Sequence, residues 1–208
     1  SLYDLHEFPY EGALLSALSM EYPDGGSFKE WLDCTSTDLE RCQTQGLMYF
    51  QDLCRGVRAL HNAGIVHGNL SPASGWLVRG RVKIVDWWES VISKGSILDR
   101  CPTQTIMEYR SPQRFLPRKI HLPDARDDIY SLGAILYRIL HPEGKPPFVG
   151  SHEELGRLHT EMPIPPLPGA NERFQRVLNR CLEKDPMRRF ERVEDLLEAL
   201  LTDNPENA

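Results

Sequence analysis

The stretch from Asp127 to Leu140 constrains this chain more than any other. Ile129, Leu132, Ala134, Ile135, Leu136, Ile139 and Leu140 recur at helical spacing and leave almost no polar face. A helix that is apolar nearly all round belongs at the centre of a domain, with other helices packed against it. The sequence offers such neighbours. Asp38 to Asn62 carries a stripe of Leu47, Phe50, Leu53, Cys54, Val57 and Leu60, with Gly64 placed where a glycine would end the helix. His152 to Thr160, Glu172 to Leu182 and Val193 to Leu201 read as three more helices, separated by proline-rich connectors. Ser27 is placed to cap a short helix bearing Phe28, Trp31 and Leu32.

Strand signals are few. Leu2 to His6 and Leu14 to Glu21 flank a Phe-Pro-Tyr-Glu-Gly turn, and Pro23-Asp24-Gly25-Gly26 breaks the second strand. Ile65-Val66 is a short piece. Trp76 to Val78 and Val82 to Val85 predict a hairpin around Arg79-Gly80-Arg81. From Asp86 to about Pro123 periodicity is poor, which reads as a long irregular segment of the kind compact domains keep for function. The class is α+β, mainly helical, with its strands gathered toward the front.

At 208 residues the chain is long enough for one domain with a real core. A net charge of -6 argues against nucleic acid or an anionic membrane as partner, because both reward clustered Lys and Arg. No apolar run reaches the roughly 20 residues that span a bilayer. The first residues, Ser-Leu-Tyr-Asp-Leu-His-Glu, lack the basic start and apolar stretch of a signal peptide. Cys34, Cys42, Cys54, Cys101 and Cys181 are scattered, with no C-x-x-C pair, so reduced thiols and a cytoplasmic or nuclear setting are expected. Met162 to Gly169 has P-x-x-P spacing and reads as a structural linker rather than a polyproline ligand.

The stretch His67-Gly68-Asn69-Leu70-Ser71-Pro72, with Val82-Lys83-Ile84-Val85-Asp86 after it, resembles the catalytic loop and metal-binding segment of eukaryotic protein kinases. Four further stretches are similar to that family in the same order. Met20 to Ser27 looks like its hinge, with wording nearest the MAP-kinase-kinase branch. Tyr109 to Phe115 resembles the end of its activation segment. Asp127 to Leu140 is similar to its buried helix, and Cys181 to Phe190 to its late Asp-Pro-x-x-Arg motif. The resemblance implies the helical large lobe of a kinase over residues 23–202. Residues 1–22 would be the last strands and hinge of a small lobe, and 203–208 a tail. The Gly-rich loop, strand lysine and helix glutamate of that small lobe have no counterpart here.

Phosphoryl transfer in that family relies on positioning and electrostatics, so each matching position can be asked what it still supplies. Asn69 stands where the resemblance implies a catalytic aspartate. An amide holds a hydroxyl but has no basicity near neutral pH. Ser71 replaces the lysine that steadies the transferring phosphate. Ser74 replaces the asparagine that holds a magnesium, and a neutral hydroxyl is a poor substitute. Gly68 replaces an arginine that grips a phosphorylated activation loop, so phosphorylation there is not expected to switch the segment in the usual way.

Asp86 matches the metal-binding aspartate and has two readings: a magnesium ligand, or a carboxylate capping local backbone donors. It is followed by Trp87-Trp88 instead of Phe-Gly. Those indoles either wedge the segment in one conformation or fill a lobe interface. By resemblance Met20, Glu21 and Tyr22 flank the adenine, and Trp76 lies beneath it with enough bulk to fill that space. His67, Gln113, Asp128 and Arg189 match scaffold positions. Asp128 would bind the catalytic-loop backbone, and Gln113 would replace the glutamate that pairs with the arginine matched by Arg189.

The resulting expectation is a degenerate kinase-like domain acting as scaffold or allosteric regulator of a protein partner, an active kinase being one candidate. ATP and magnesium are not expected as cofactors. The alternatives are a weakly active serine/threonine kinase and a nucleotide-binding switch. Apolar Leu14, Leu15, Ala17 and Leu18 on the leading strands invite a covering segment or partner.

Overall fold

The computed structural model describes residues 2–10, 13–85, 91–92, 106–116 and 123–202. Its helices are α1 (Phe28–Thr35), the single turn α2 (Leu39–Arg41), α3 (Leu47–Asn62), α4 (Ala125–Leu140), α5 (His152–Glu161), α6 (Glu172–Cys181) and α7 (Val193–Leu201). Its strands are β1 (Leu2–Tyr10), β2 (Ala13–Met20), β3 (Ile65–Val66), β4 (Gly75–Val78), β5 (Arg81–Ile84) and β6 (Val91–Ile92), paired antiparallel as β1–β2, β3–β6 and β4–β5.

The apolar helix α4 is central, as its composition requires. Ile129, Leu132, Ala134, Ile135, Leu136 and Ile139 have no exposed surface, and each Ile or Leu among them is worth about 1.5–3 kcal/mol when fully buried. They join Phe50, Leu53, Cys54 and Val57 of α3 and Val177, Leu178 and Cys181 of α6 in one core. Gly133 is needed for that packing, because a Cβ there would lie 2.5 Å from the Cβ of Cys181.

Helix starts follow their caps. The Ser27 hydroxyl accepts from the Glu30 amide at 3.1 Å while the Glu30 carboxylate accepts from the Ser27 amide at 2.8 Å. The same reciprocal box joins Asp124 with Asp127 and Ser151 with Glu154; such caps contribute about 1 kcal/mol each. Because Asp124 is the cap, α4 begins at Ala125, two residues before the periodicity suggests. The expected continuous helix over 38–62 is instead α2, a wider π-helical stretch at Cys42–Gly46, and α3. There Gly46 lies close against Ile139 and Trp31, where a Cβ would stand 3.2 Å from Ile139 Cγ2.

The first hairpin is also longer than expected. Phe8 and Tyr10 are in register with Leu15 and Ala13, so residues assigned to a turn extend β1. The side chains of Leu14, Leu15, Ala17 and Leu18 lie outside the described part of the structure. The β4–β5 hairpin turns at Arg79-Gly80 as predicted, with Trp76 opposite Lys83. It is fastened to α3 by Arg81, whose Nε and Nη2 donate to the two carboxylate oxygens of Asp52 at 2.6 and 2.5 Å. Burial opposes ionisation of Asp52, but the bonds from Arg81 and the Val82 amide outweigh it and hold the carboxyl below its ordinary range. Among the described residues no helix is long and apolar enough to cross a membrane.

Candidate functional site

The loop between β3 and β4 is suspended from α4. Asp128 is fully buried in the first turn of that helix. Its Oδ2 accepts from the His67 amide and its Oδ1 from the Gly68 amide, both at 2.8 Å, and the His61 Nε2 lies 2.8 Å from Oδ2. A buried carboxylate is tolerated only when its lone pairs are filled in this way. Gly68 has a φ of +72°, a conformation glycine adopts without steric cost. A Cβ there would lie 3.5 Å from Pro123 and 3.9 Å from Arg114 Nη2. The Arg114 guanidinium therefore stands beside the position that the family fills with its own arginine, and a cation remains in that neighbourhood.

His67 is buried, and its ring links two segments. Nδ1 accepts from the Asn69 amide at 3.4 Å, and Nε2 lies 3.3 Å from the Val85 carbonyl oxygen. Those partners require the tautomer with hydrogen on Nε2, donating to Val85. The residue next to Val85 is Asp86. Asp86, Trp87 and Trp88 lie outside the described residues.

Ser71 and Ser74 are turned into the loop. The Ser71 hydroxyl accepts from the Ala73 amide at 3.2 Å, the Ser74 hydroxyl accepts from the Ser71 amide at 3.2 Å, and Ser74 Oγ donates to the Asn69 carbonyl at 3.5 Å. They cap the short 3-10 turn Pro72–Ser74, and are only 6% and 4% exposed. Neither hydroxyl is presented to a phosphate or a cation, and Ser74 would have to leave its backbone partners to ligate magnesium. Asn69, half-buried, contributes a neutral amide side chain.

Trp76 follows on β4. Gly75 and Leu77 face the core, where a Gly75 Cβ would lie 3.2 Å from Phe28, so alternation along the strand puts the half-buried Trp76 on the opposite face, level with Lys83. The chain at 25–27 runs alongside. Gly25 N donates to Leu77 O at 3.2 Å and Leu77 N to Gly26 O at 2.8 Å. Of the three expected adenine-flanking residues, Tyr22 is 84% exposed and Glu21 lies 3.5 Å from Arg79 Nε. Met20 closes β2, and its side chain is not among those described.

A second cluster anchors the segment 106–116. Arg189 is 3% exposed. Its Nη2 donates to Gln113 Oε1 at 2.7 Å, Nε to the Glu183 carbonyl at 2.7 Å and Nη1 to the Arg126 carbonyl at 2.9 Å. Burial lowers the pKa of this guanidinium, and Asp127, 3.9 Å away, opposes that shift. Gln113 returns its own amide hydrogen to the Lys184 carbonyl at 2.7 Å, a bond a glutamate could not make. Ser111 donates to Asp127 at 2.6 Å.

Sequence reading brought His67, Asp128, Gln113 and Arg189 forward. It passed over His61, Ser111, Asp127 and Arg114, which the fold brings to Asp128, Asp127, Arg189 and Gly68 respectively. Taken together, the loop offers a phosphate or a cation one neutral amide and two engaged hydroxyls, and the carboxylate beside it is already saturated. Among the described residues no three His, Cys, Asp or Glu side chains group as metal ligands. These loop groups bring no charge to a magnesium-bound nucleotide, and Asp86, the position matched to the metal-binding aspartate, lies outside the described residues.

A family model described as the protein kinase domain matches residues 5–201. Curated relatives include the serine/threonine-protein kinase PknB of Mycobacterium leprae, 28% identical over 204 residues, which cover 94% of this chain and 32% of that protein. A probable serine/threonine-protein kinase of Streptomyces coelicolor, SCO3848, is 29% identical over 100% of this chain and 32% of its own length. The serine/threonine-protein kinase ssp1 of Schizosaccharomyces pombe is 30% identical over 85% of this chain and 28% of its own. The chain thus spans about a third of the length of the curated relatives it matches.

Proposed function

The chain belongs to the protein kinase domain family, and from that premise we propose that it is a catalytically inactive member, a pseudokinase that acts on a protein partner as scaffold or allosteric regulator. The observation that carries this reading is the set of hydrogen bonds that tie the Ser71 and Ser74 hydroxyls to the backbone of their own loop. Kinase chemistry requires a base at the substrate hydroxyl and positive charge at the phosphates. Here the matching positions hold an amide and two hydroxyls that bond to their own backbone. Trp76, on the face of β4 away from Gly75 and Leu77, adds bulk where the resemblance puts an adenine ring. The proposal needs only the family, not the MAP-kinase-kinase branch that the hinge wording resembles. A cytoplasmic setting accords with the scattered cysteines, of which Cys34, Cys42, Cys54 and Cys181 are free.

A second reading, a weakly active or nucleotide-binding serine/threonine kinase, is favoured by one residue, the retained Asp86, and by the names of the relatives. Thermal unfolding of the longest natural product of the gene, with ATP or ADP and with or without magnesium, separates the two. The pseudokinase reading expects no magnesium-dependent shift. Stabilisation beyond about 1 kcal/mol, or phosphate transfer that disappears in Asp86→Ala, would overturn it in favour of the second.

A further inference from the structure

Residues 162–168, which join α5 to α6, have their backbone set by proline. Pro163, Pro165, Pro166 and Pro168 are each held at a φ of about −65°. The ring of each pushes the residue before it (Met162, Ile164, Pro165 or Leu167) to an extended ψ. That combination is the polyproline II helix. Met162 opens the run at φ −85° and ψ 139°, and residues 163–167 belong to no helix or strand. A turn ends it. Gly169 has a φ of +73°, and the Ala170 amide donates to the Leu167 carbonyl at 3.3 Å.

A polyproline II helix repeats every three residues, so its side chains form three edges. Ile164 and Leu167 share one edge, and that edge is turned into the protein. Leu167 is 5% exposed and belongs to the main core, while Ile164 packs against that core and against the smaller cluster of Met107, Phe148 and Leu155. The Leu167 amide donates to Gln175 Oε1 at 3.1 Å. A linker needs this edge and no more. Met162, Pro165 and Pro168 form the second edge, Pro163 and Pro166 the third, and all five are exposed. The run is fixed to the domain along one edge and presents two apolar ones in a preset conformation, so engaging them costs little ordering entropy.

We propose that this run is a docking ligand for a polyproline-reading domain of a partner protein, one whose aromatic-lined groove reads proline without an accompanying cation. Approached from outside, the two free edges present the pairs Met162-Pro163 and Pro165-Pro166, with Ile164 between them pointing inward. Pro163 and Pro166 then supply the P-x-x-P spacing that such grooves grip. The alternative register, Ile164-Pro165 with Leu167-Pro168, is closed because its first members form the buried edge. Charge selects among grooves. Residues 162–171 carry no charge, so a groove that uses an acidic rim to hold a Lys or Arg beside the prolines gains nothing here. That leaves the WW or EVH1 kind. The run lies outside the Asn69–Ser74 loop, so docking holds whether or not the domain transfers phosphate.

The test titrates a panel of fluorescently labelled WW, EVH1 and SH3 domains with the whole chain in fluorescence polarisation. At least one WW or EVH1 domain should bind, with an affinity that barely changes with salt. Pro163→Ala combined with Pro166→Ala should weaken that binding at least about tenfold. Met162→Glu, which keeps every proline, should weaken it too. Far-ultraviolet circular dichroism and urea midpoints check that both variants keep their fold. A synthetic peptide of residues 160–171 should bind the same domain more weakly than the whole chain, because only the chain holds the run preset. Binding of the peptide but not of the chain would assign residues 162–168 to the linker role alone and overturn the proposal. So would binding to no domain of the panel, binding only to SH3 domains with acidic rims, or equal binding by the variants.

Discussion

The two halves of a single loop are built in opposite ways. At residues 67–68 both backbone amides reach out to the buried Asp128 carboxylate on α4. At residues 69–74 the Ser71 and Ser74 hydroxyls turn inward and bond to the loop backbone. The first half carries a fixed negative charge that the fold must saturate. The second half matches the positions where the family keeps charge for its substrate, and here neutral groups have found local partners. The difference teaches that a charge needed for architecture is expensive to remove, because its donors are left buried and unpaired. A charge needed only for chemistry can be replaced by groups that satisfy the backbone nearby, so this loop is well bonded rather than damaged. Gln113 and Arg189 extend the same logic: the amide accepts from the guanidinium and also donates to Lys184, so the anchor holds without a carboxylate at that position.

The sharpest way to break this contrast is Asp128→Ala. Three donors, two of them backbone amides, would lose a shared ionic acceptor, and a loss of about 3–5 kcal/mol of unfolding free energy is expected. Urea denaturation measures it, and a change under about 1 kcal/mol would mean that the loop does not hang from α4.

A smaller effect should come from the packing beneath α5. His159 is fully buried, bonded through Nδ1 to the Tyr130 hydroxyl at 2.8 Å, while its Nε2 has no partner among the described residues. Burial first, and the Lys184 charge second, lower its pKa to about 3. An unfolded imidazole takes up a proton near pH 6.5 and the folded one does not. Stability is therefore full above pH 6.5 and declines as pH falls toward 3. The slope is about 1.4 kcal/mol per pH unit, or roughly 2 kcal/mol by pH 5. Urea midpoints of the chain and of His159→Phe across this range should differ in slope. Parallel curves would assign the acid sensitivity elsewhere.

The smallest effect tests the inward-turned half. Ser71→Ala and Ser74→Ala each remove a cap, and should cost about 1 kcal/mol apiece. The Ser71 amide that donates to Ser74 Oγ remains in Ser71→Ala, so each substitution removes different bonds. If neither substitution alters the denaturation midpoint, the hydrogen bonds on which the inactive reading stands do not form in solution.

Much of this was legible from the chain alone. The central helix was written in its apolar spacing, and the caps at Ser27 and the β4–β5 turn in residues with specific backbone roles. The losses at Asn69, Ser71 and Ser74 could be read because the chemistry of a side chain travels with its identity. The periodic code failed where backbone geometry is decided by a neighbour, as at the π-helical stretch Cys42–Gly46 pressed against Ile139, and at the first hairpin, whose first strand runs on through Phe8 to Tyr10.

The sequence by itself determined a helical large lobe of the protein kinase family and the neutral character of its catalytic-loop positions. Only the tertiary structure decided where the groups at those positions point and what holds the frame around them. His61 joining Asp128, Arg114 arriving beside Gly68, and Gln113 bridging Arg189 and Lys184 all bring together residues distant in sequence; for His61–Asp128 and Gln113–Arg189 the separations are 67 and 76 positions. Local propensity has no access to such meetings, because they are fixed by how whole helices pack around α4.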